Sequence, residues 1–143
     1  MIVVDTNVVS ETMRPDPNPV VTAWAASLAS PPATTAVTVG ELHRGIASLP
    51  DGTRKRQLRT ARDIALADFV GHRMLPYDEP AARRYGDLAA ARDAAGRPIG
   101  VADAQIAAIC LSRGATLATR NTKDFELIGL DVVNPWEFSS EPA

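Results

Sequence analysis

The chain has 143 residues and a mass of 15.2 kDa, which suits a single domain with one hydrophobic core. Hydrophobic residues make up 45% and charged residues 22%, close to globular averages, so the composition excludes collagen-like, coiled-coil and wholly disordered chains. The 15 Lys and Arg against 17 Asp and Glu give a net charge of −2, so any contact with nucleic acid must come from a local basic patch.

The cysteine content and the N-terminal sequence indicate the cellular compartment in which the protein is expected. Cys110 is the sole cysteine and has no partner for an intramolecular disulfide or a thiolate metal site. The apolar run Ile2-Val3-Val4 is too short for a signal peptide, and no stretch approaches the about 18 apolar residues of a transmembrane helix. We therefore expect a cytoplasmic protein that makes no contact with a membrane.

The first fifty residues predict two strands, each leading into helical sequence. The first strand is β-branched and ends at the polar Asp5-Thr6-Asn7, which turns into a helix. Thr38, with Glu41 three residues later, has the form of a capping box that opens a helix. In chain order, the elements are a strand at Ile2–Val4, a helix at Val20–Leu28, a strand at Ala33–Val37 and a helix from Thr38 to Leu49.

The remainder predicts three more strands separated by helices. The helix that begins at Asp103 is apolar nearly all round, which indicates a central position. The elements are a long helix from about Thr53 to Val70, a strand at Met74–Tyr77, a helix from Glu79 to about Ala95, a helix at Asp103–Leu111, a strand at Thr116–Thr119, a turn at Asn121–Phe125 and a strand at Leu130–Val133. Alternating strands and helices predict an α/β domain with a mostly parallel sheet and helices on both faces.

Acidic and amide side chains are predicted to gather at one edge of this sheet. Asp5 follows the first strand, Asn121 and Asp124 follow the strand at Thr116–Thr119, and Glu41 and Asp103 lie in the first turns of two helices. Ligands of open α/β sheets collect beyond the carboxyl ends of the strands. Each residue alone could simply cap a helix or complement its dipole. Asp103 is the most informative, because it precedes an apolar helix in which an unpartnered charge is costly.

A cluster of carboxylates predicts a divalent cation, because like charges within a few ångströms raise one another's pKa unless a cation is present. Oxygen donors without histidine or cysteine favour Mg²⁺ or Mn²⁺ over Zn²⁺. Such a metal activates a bound water and stabilises charge on a phosphoryl oxygen. The cluster therefore predicts hydrolysis of a phosphodiester.

Four motifs, in order, resemble those of the PIN-domain ribonucleases, and most closely the VapC and FitB toxins of bacterial type II toxin-antitoxin pairs. The segments that carry the resemblance are residues 2–11 (IVVDTNVVSE), 38–42 (TVGEL), 99–108 (IGVADAQIAA) and 116–125 (TLATRNTKDF), with Asn134-Pro135-Trp136. The resemblance spans residues 1–138, which we take as one PIN domain, with a disordered tail at Ser139–Ala143.

The resemblance implies a five-stranded parallel sheet and an Mg²⁺-dependent endoribonuclease site, with Mn²⁺ as a possible substitute. Asp5, Glu41 and Asp103 would be the catalytic acids and metal ligands, and Asn121 would occupy a fourth catalytic position. Many relatives carry an acid there, so the neutral amide weakens the case for two tightly bound metals, and Asp124 ranks below Asn121 as a replacement.

Contacts with RNA phosphate are assigned to side chains near the acids. Thr6 and Thr119 lie close enough in the sequence to orient a ligand or a water, and Arg120 and Lys123 lie beside the site. A basic run on the long helix offers further phosphate binders, although such runs are more often solvated helix faces. Its members are Arg54, Lys55, Arg56, Arg59 and Arg62.

The resemblance also implies partners: a cognate antitoxin that wraps the toxin and inserts a basic side chain into the acidic site, and a toxin homodimer. The main alternative is a PIN-like metal- and RNA-binding module with little catalytic activity, because Asn121 replaces an acid. A phospho-receiver or a haloacid-type phosphatase would need acids after the first strand that Asp5-Thr6-Asn7 does not supply. A serine hydrolase would need a G-x-S-x-G elbow, which the sequence lacks.

Overall fold

The computed structural model describes residues 1–140, so residues 141–143 of the predicted tail lie outside the described residues. The described chain contains five short strands and six α-helices, with two helices after each of the first three strands. The strands are β1 (Ile2–Val4), β2 (Thr34–Thr35), β3 (Met74–Leu75), β4 (Thr116–Ala118) and β5 (Val132–Val133). The helices are α1 (Thr6–Thr12), α2 (Pro19–Ser27), α3 (Ala36–Ala47), α4 (Thr53–Ile64), α5 (Glu79–Ala94) and α6 (Val101–Ser112).

All strand pairs in the described chain are parallel. β1 pairs with β4 and β4 pairs with β5, while β2 pairs with β3. Two backbone hydrogen bonds at Ala33 connect the two groups of strands: Val4 N donates to Ala33 O at 2.8 Å, and Ala33 N donates to Ile2 O at 2.9 Å. The spatial order is therefore β3-β2-β1-β4-β5, which confirms the α/β prediction with five parallel strands.

Helices cover both faces of the sheet. Adjacent residues of a strand point to opposite faces, and Val3 and Val4 are both fully buried, each in a different apolar cluster. Val3 packs in the cluster that contains α6, and Val4 packs in the cluster that contains α1 and Trp24. The central position predicted for α6 is confirmed, because its residues Ala104 and Ile106 to Cys110 are fully buried.

The predicted capping box at Thr38 is wrong. The N-cap of α3 is Thr35, whose hydroxyl accepts a hydrogen bond from Thr38 N at 3.1 Å. Thr38 is fully buried inside the first turn, because α3 begins at Ala36, directly after β2 ends at Thr35. Glu41 therefore lies beyond the first turn and is free of any capping role.

Other boundaries differ from prediction by a few residues. The long helix is α-helical only to Ile64 and continues as a π-helical turn at Ala65–Phe69. α6 begins at Val101, after the N-cap Gly100, so Asp103 is the third residue of the helix rather than its first. No helix in residues 1–140 is both long and apolar enough to cross a membrane.

Candidate active site

The candidate site lies where β1 and β4 end side by side. Val4 pairs with Ala118 in register, so Asp5 and Thr119 emerge next to each other at the carboxyl edge of the sheet. Asp5 is the N-cap of α1, Asp103 lies in the first turn of α6, and Glu41 lies on α3. The topology thus brings the three predicted acids to one edge.

Asp5 is held rigidly. It is 4% exposed, and its Oδ1 accepts from Thr6 N at 2.8 Å. Its Oδ2 accepts from Thr119 Oγ1 at 2.7 Å and from Asn7 Nδ2 at 3.3 Å. Burial raises the pKa of Asp5, the charge of Glu41 raises it further, and these hydrogen bonds oppose the rise. The carboxylate is therefore fixed in place but incompletely compensated.

Thr119 positions Asp5 rather than contacting a ligand. Its side chain is fully buried, and while it donates to Asp5 it accepts from Asn7 Nδ2 and from Asn121 N, both at 3.1 Å. The predicted contact of Thr119 with RNA phosphate is therefore wrong, because the fully buried hydroxyl has no surface left for a phosphate.

Thr6 holds Glu41. Its hydroxyl donates to Glu41 Oε1 at 2.7 Å and lies 3.1 Å from Thr38 Oγ1. The Thr6 hydroxyl is therefore already bonded to Glu41, and a contact with RNA phosphate, as predicted, would compete with this bond. Glu41 is itself exposed, and its charge raises the pKa of both Asp5 and Asp103, so these carboxylates share one electrostatic environment.

Asp103 is the least compensated acid of the site. It is half-buried, and no donor within residues 1–140 makes a hydrogen bond to its carboxylate. Burial raises its pKa from 3.8 to about 6, with further contributions from the charges of Asp5, Asp124 and Glu41. The site therefore concentrates negative charge around Asp103.

The fourth catalytic position was predicted at Asn121, with Asp124 as the weaker candidate, and both residues lie in the segment after β4. Asn121 is exposed and contacts the site through its backbone N, which donates to Thr119. Asp124 lies in the 3₁₀ turn Thr122–Phe125, and its charge acts on Asp103. The sequence favours Asn121 over Asp124 at this position. In the structure, Asp124 is close enough to Asp103 for its charge to raise the pKa of Asp103.

The donor set fits a hard divalent cation. Within residues 1–140, no three histidine, cysteine or acidic side chains form a ready-made metal cage. Mg²⁺ typically binds one or two carboxylates and keeps several waters. The charge of Glu41 contributes to the raised pKa values of Asp5 and Asp103, so a cation beside these acids would relieve the repulsion. The oxygen-only set of Asp5, Glu41 and Asp103 therefore suits Mg²⁺ or Mn²⁺ held partly through water.

Basic residues flank the acids on one side. Arg120 is exposed, its backbone N donates to Asn7 Oδ1 at 3.1 Å, and its guanidinium lies 5.1 Å from the centroid of the Trp136 ring. Lys123 is exposed in the 3₁₀ turn. Both remain available to a polyanion beside the site.

The basic run on α4 divides into structural and exposed members. Lys55 is buried, and its ammonium donates to Ala47 O and to Asp51 Oδ1, both at 3.2 Å, so it is unavailable to phosphate. Arg62 pairs with Asp63 at 3.1 Å. Arg54 is exposed and lines a cavity that extends from the acidic site.

This cavity, of about 450 Å³, lies between α1, α3 and α4. Thr6 and Glu41 form its end at the acidic site, and Arg14 and Arg54 contribute positive charge. Its apolar lining comes from Met13, Pro15, Leu42, Ile46, Leu49 and Leu58. A mostly apolar surface therefore adjoins the carboxylates directly.

The sequence did not indicate the roles of two residues of the site, Asn7 and Thr38. Asn7 bridges Asp5, Thr119 and the backbone of Arg120, although it stands two residues after Asp5 in a motif that was interpreted as a turn. Thr38, which the sequence predicts as a cap, contacts Thr6 instead. Each hydrogen-bonds to a residue that holds an acid: Asn7 to Thr119, and Thr38 to Thr6.

The chain is similar in sequence and structure to proteins of a known family. The model of the PIN domain family matches residues 2–129. The chain is 41% identical to VapC ribonuclease Y4jK of Sinorhizobium fredii over 96% of this chain and 99% of that protein, and 39% identical to Toxin FitB of Neisseria gonorrhoeae over 95% and 99%. The crystal structure of FitAcB from Neisseria gonorrhoeae superposes with a TM-score of 0.86 at 38% identity, covering 96% of this chain and 100% of that one.

Proposed function

The chain belongs to the PIN domain family, and on that basis we propose that it is a Mg²⁺-dependent endoribonuclease that acts as the toxin of a type II toxin-antitoxin pair. The names of its relatives, a VapC ribonuclease and the toxin FitB, support the ribonuclease and the toxin parts of the proposal. The observation that carries the metal-dependent chemistry is the convergence of Asp5, Glu41 and Asp103 at the carboxyl edge of β1 and β4.

Each acid has a distinct task in this proposal. Asp5 and Asp103 would hold Mg²⁺, and Glu41, which is exposed and fixed by the Thr6 hydroxyl, would face the reacting phosphate. A bound Mg²⁺ supplies an acidified water and stabilises charge on the phosphoryl oxygens. Thr119 and Asn7 keep the Asp5 carboxylate oriented, so that it does not need to reorganise when the cation arrives.

Substrate RNA would approach over the exposed basic residues next to the acids. Arg120 is held by its backbone contact to Asn7 and by the Trp136 ring, so its guanidinium loses little freedom on binding a phosphate. Lys123 adds a second cation in the turn that also carries Asp124. Such contacts position an RNA backbone without reading its bases.

An antitoxin is the proposed partner, and the cavity between α1, α3 and α4 is its proposed docking place. The apolar lining there suits an amphipathic segment of another chain, and Glu41 at its end would accept a basic side chain from that segment. Occupation of this place would cover the acidic site. A toxin homodimer remains part of the proposal, as the resemblance to VapC and FitB implies.

The test is cleavage of a mixed pool of structured RNAs by the purified chain, freed of co-purifying protein, with Mg²⁺, Mn²⁺ or EDTA. We expect metal-dependent cleavage that Asp5→Asn and Asp103→Asn each abolish. Asp93→Asn is the matched control, because Asp93 is an exposed acid on α5 that is no part of the acidic cluster, and it should cut like the wild type.

Two outcomes would contradict the proposal in different ways. Cleavage that survives both substitutions would place the active site elsewhere. A folded wild type that binds Mn²⁺ but cleaves no RNA would favour the non-catalytic binding module instead. In that case, RNA binding would still depend on Arg120 and Lys123, which gel-shift titration of the two alanine variants would measure.

A further inference from the structure

Arg92 is the buried arginine of the described chain. It lies near the C-terminal end of α5, is 5% exposed, and donates three hydrogen bonds to backbone carbonyls. Its Nε donates to Arg97 O at 2.6 Å, and its Nη1 donates to Asp124 O and to Glu126 O, both at 3.0 Å. A guanidinium stays charged when buried, so it requires strong acceptors, and here these are carbonyl oxygens rather than a carboxylate.

The three acceptors belong to the two segments that carry acids of the site. Arg97 lies in the connection from α5 to α6, six residues before Asp103, and Asp124 and Glu126 lie in and after the 3₁₀ turn that follows β4. One side chain therefore ties the entry of α6 to the Asp124 turn. The turn has further restraints: Phe125 is 2% exposed in the apolar core, Glu126 pairs with Arg97 at 3.2 Å, and Asp124 N donates to Asn121 O at 3.1 Å.

The backbone of the Asp124 turn needs outside support. Leu127 follows it with a φ of +67°, in the left-handed region that residues with bulky side chains rarely adopt, and its side chain is 60% exposed. A conformation of this kind persists only where the surrounding structure determines it. The exposed Leu127 side chain does not supply that support. The turn directly before it is held by the hydrogen bonds from Arg92 to Asp124 O and Glu126 O, together with the buried side chain of Phe125.

We propose that Arg92 is a positioning residue, which fixes the turn that carries Asp124 against the connection that leads into α6 and so completes the acidic site. This inference rests on the proposed function, since it gives Asp124 a part in holding the cation. Lys55, the other buried cation of the described chain, pairs with Asp51 at the α3–α4 connection and has no such link to the site.

The test measures Mn²⁺ affinity by electron paramagnetic resonance of the free ion in titrations of the full chain. We expect Arg92→Met to weaken Mn²⁺ binding about tenfold, as loss of an outer-shell partner does. Arg97→Met is the matched control, because it removes the exposed Arg97–Glu126 ion pair of 3.2 Å on the same turn, and it should change the affinity less than about twofold. Arg92→Lys retains the charge and part of the hydrogen bonding, so its loss should be intermediate.

A double-mutant cycle distinguishes positioning from general stability. If Arg92 acts through Asp124, Arg92→Met should cost less than about twofold in an Asp124→Asn background. An undiminished tenfold loss in that background, or a loss no larger than that of Arg97→Met, would overturn the inference. Failure of the wild type itself to bind Mn²⁺, or binding that survives Asp103→Asn, would instead contradict the proposed function.

Amide hydrogen exchange tests the positioning separately from the metal. Without any cation, Arg92→Met should raise exchange in residues 122–126 and leave β4 protected. Arg92→Lys should do the same to a lesser degree, and it keeps the test valid if the methionine variant unfolds. Unchanged exchange in the turn of both variants would overturn the inference whatever the Mn²⁺ titrations give.

Discussion

Asp103→Asn should make the metal-free protein more stable at neutral pH while it abolishes cleavage. The Asp103 carboxylate is half-buried, has no hydrogen-bond donor within residues 1–140, and faces the charges of Asp5, Asp124 and Glu41. Asparagine has nearly the same shape and no charge, so it removes the repulsion without leaving a cavity. We therefore expect the acid at this position to lower the free energy of unfolding of the metal-free wild type.

The magnitude follows from the pKa of Asp103, which the folded structure raises from 3.8 to about 6. That rise corresponds to about 3 kcal/mol between the two protonation states. Because the group is only half-buried, solvent screening reduces the figure, and we expect a gain of about 1–2 kcal/mol. A raised pKa means that the folded state favours the protonated acid, so the stabilising contribution is fully present below pH 3.8 and is lost as the pH rises through 6.

The assay is urea unfolding in EDTA at pH 4.5 and pH 7, followed by circular dichroism. The variant should exceed the wild type in free energy of unfolding at pH 7, and the gap should narrow at pH 4.5. Asp93→Asn, an exposed acid, should show little difference at either pH. A variant no more stable than the wild type at pH 7 would refute the electrostatic reasoning. So would a difference in free energy of unfolding that is the same at both pH values.

Four further outcomes are expected. Thr119→Val should cost about 1–3 kcal/mol in urea unfolding and lower cleavage, because it leaves buried Asp5 short of a donor, whereas Thr119→Ser should be close to wild type. Ile106→Ala, at a fully buried position of α6, should cost about 2–5 kcal/mol in the same experiment. Cys110 is buried and its pKa is raised to about 12, so a thiol reagent should modify it only as fast as the chain unfolds; rapid labelling of the folded protein would be unexpected. Arg120→Ala should weaken RNA binding and lower the salt dependence, as the slope of log K against log salt, by about 1; an unchanged slope would exclude a phosphate contact.

The elements of the fold were predictable because their signals are local. The β-branched run Ile2–Val4 and the apolar stretch from Ala104 to Cys110 each indicate a buried element without knowledge of its neighbours. The position of Asp5 at the end of a strand then follows from topology alone. The capping error at Thr38 has a physical reason: two threonines, Thr35 and Thr38, stand three residues apart, and only the end of the strand decides which one caps the helix.

The partners of the site residues were not predictable, because they depend on contacts between distant segments. Thr119 is out of reach of phosphate because it hydrogen-bonds to Asp5, 114 residues earlier in the sequence. Lys55 belongs to a basic run in the sequence but turns inward to Ala47 and Asp51. Asp124 ranked low because its distance from Asp103 depends on the path of the 3₁₀ turn.

The separation of Asp5 from Thr119 also bears on when the site forms during synthesis. β1 is made early, but its neighbour β4 and the hydroxyl that orients Asp5 are made more than a hundred residues later. A nascent chain that stops short of β4 lacks one side of the central strand and the donor on which Asp5 relies. On the proposed function, a chain released before β4 has been synthesised is therefore expected to lack nuclease activity.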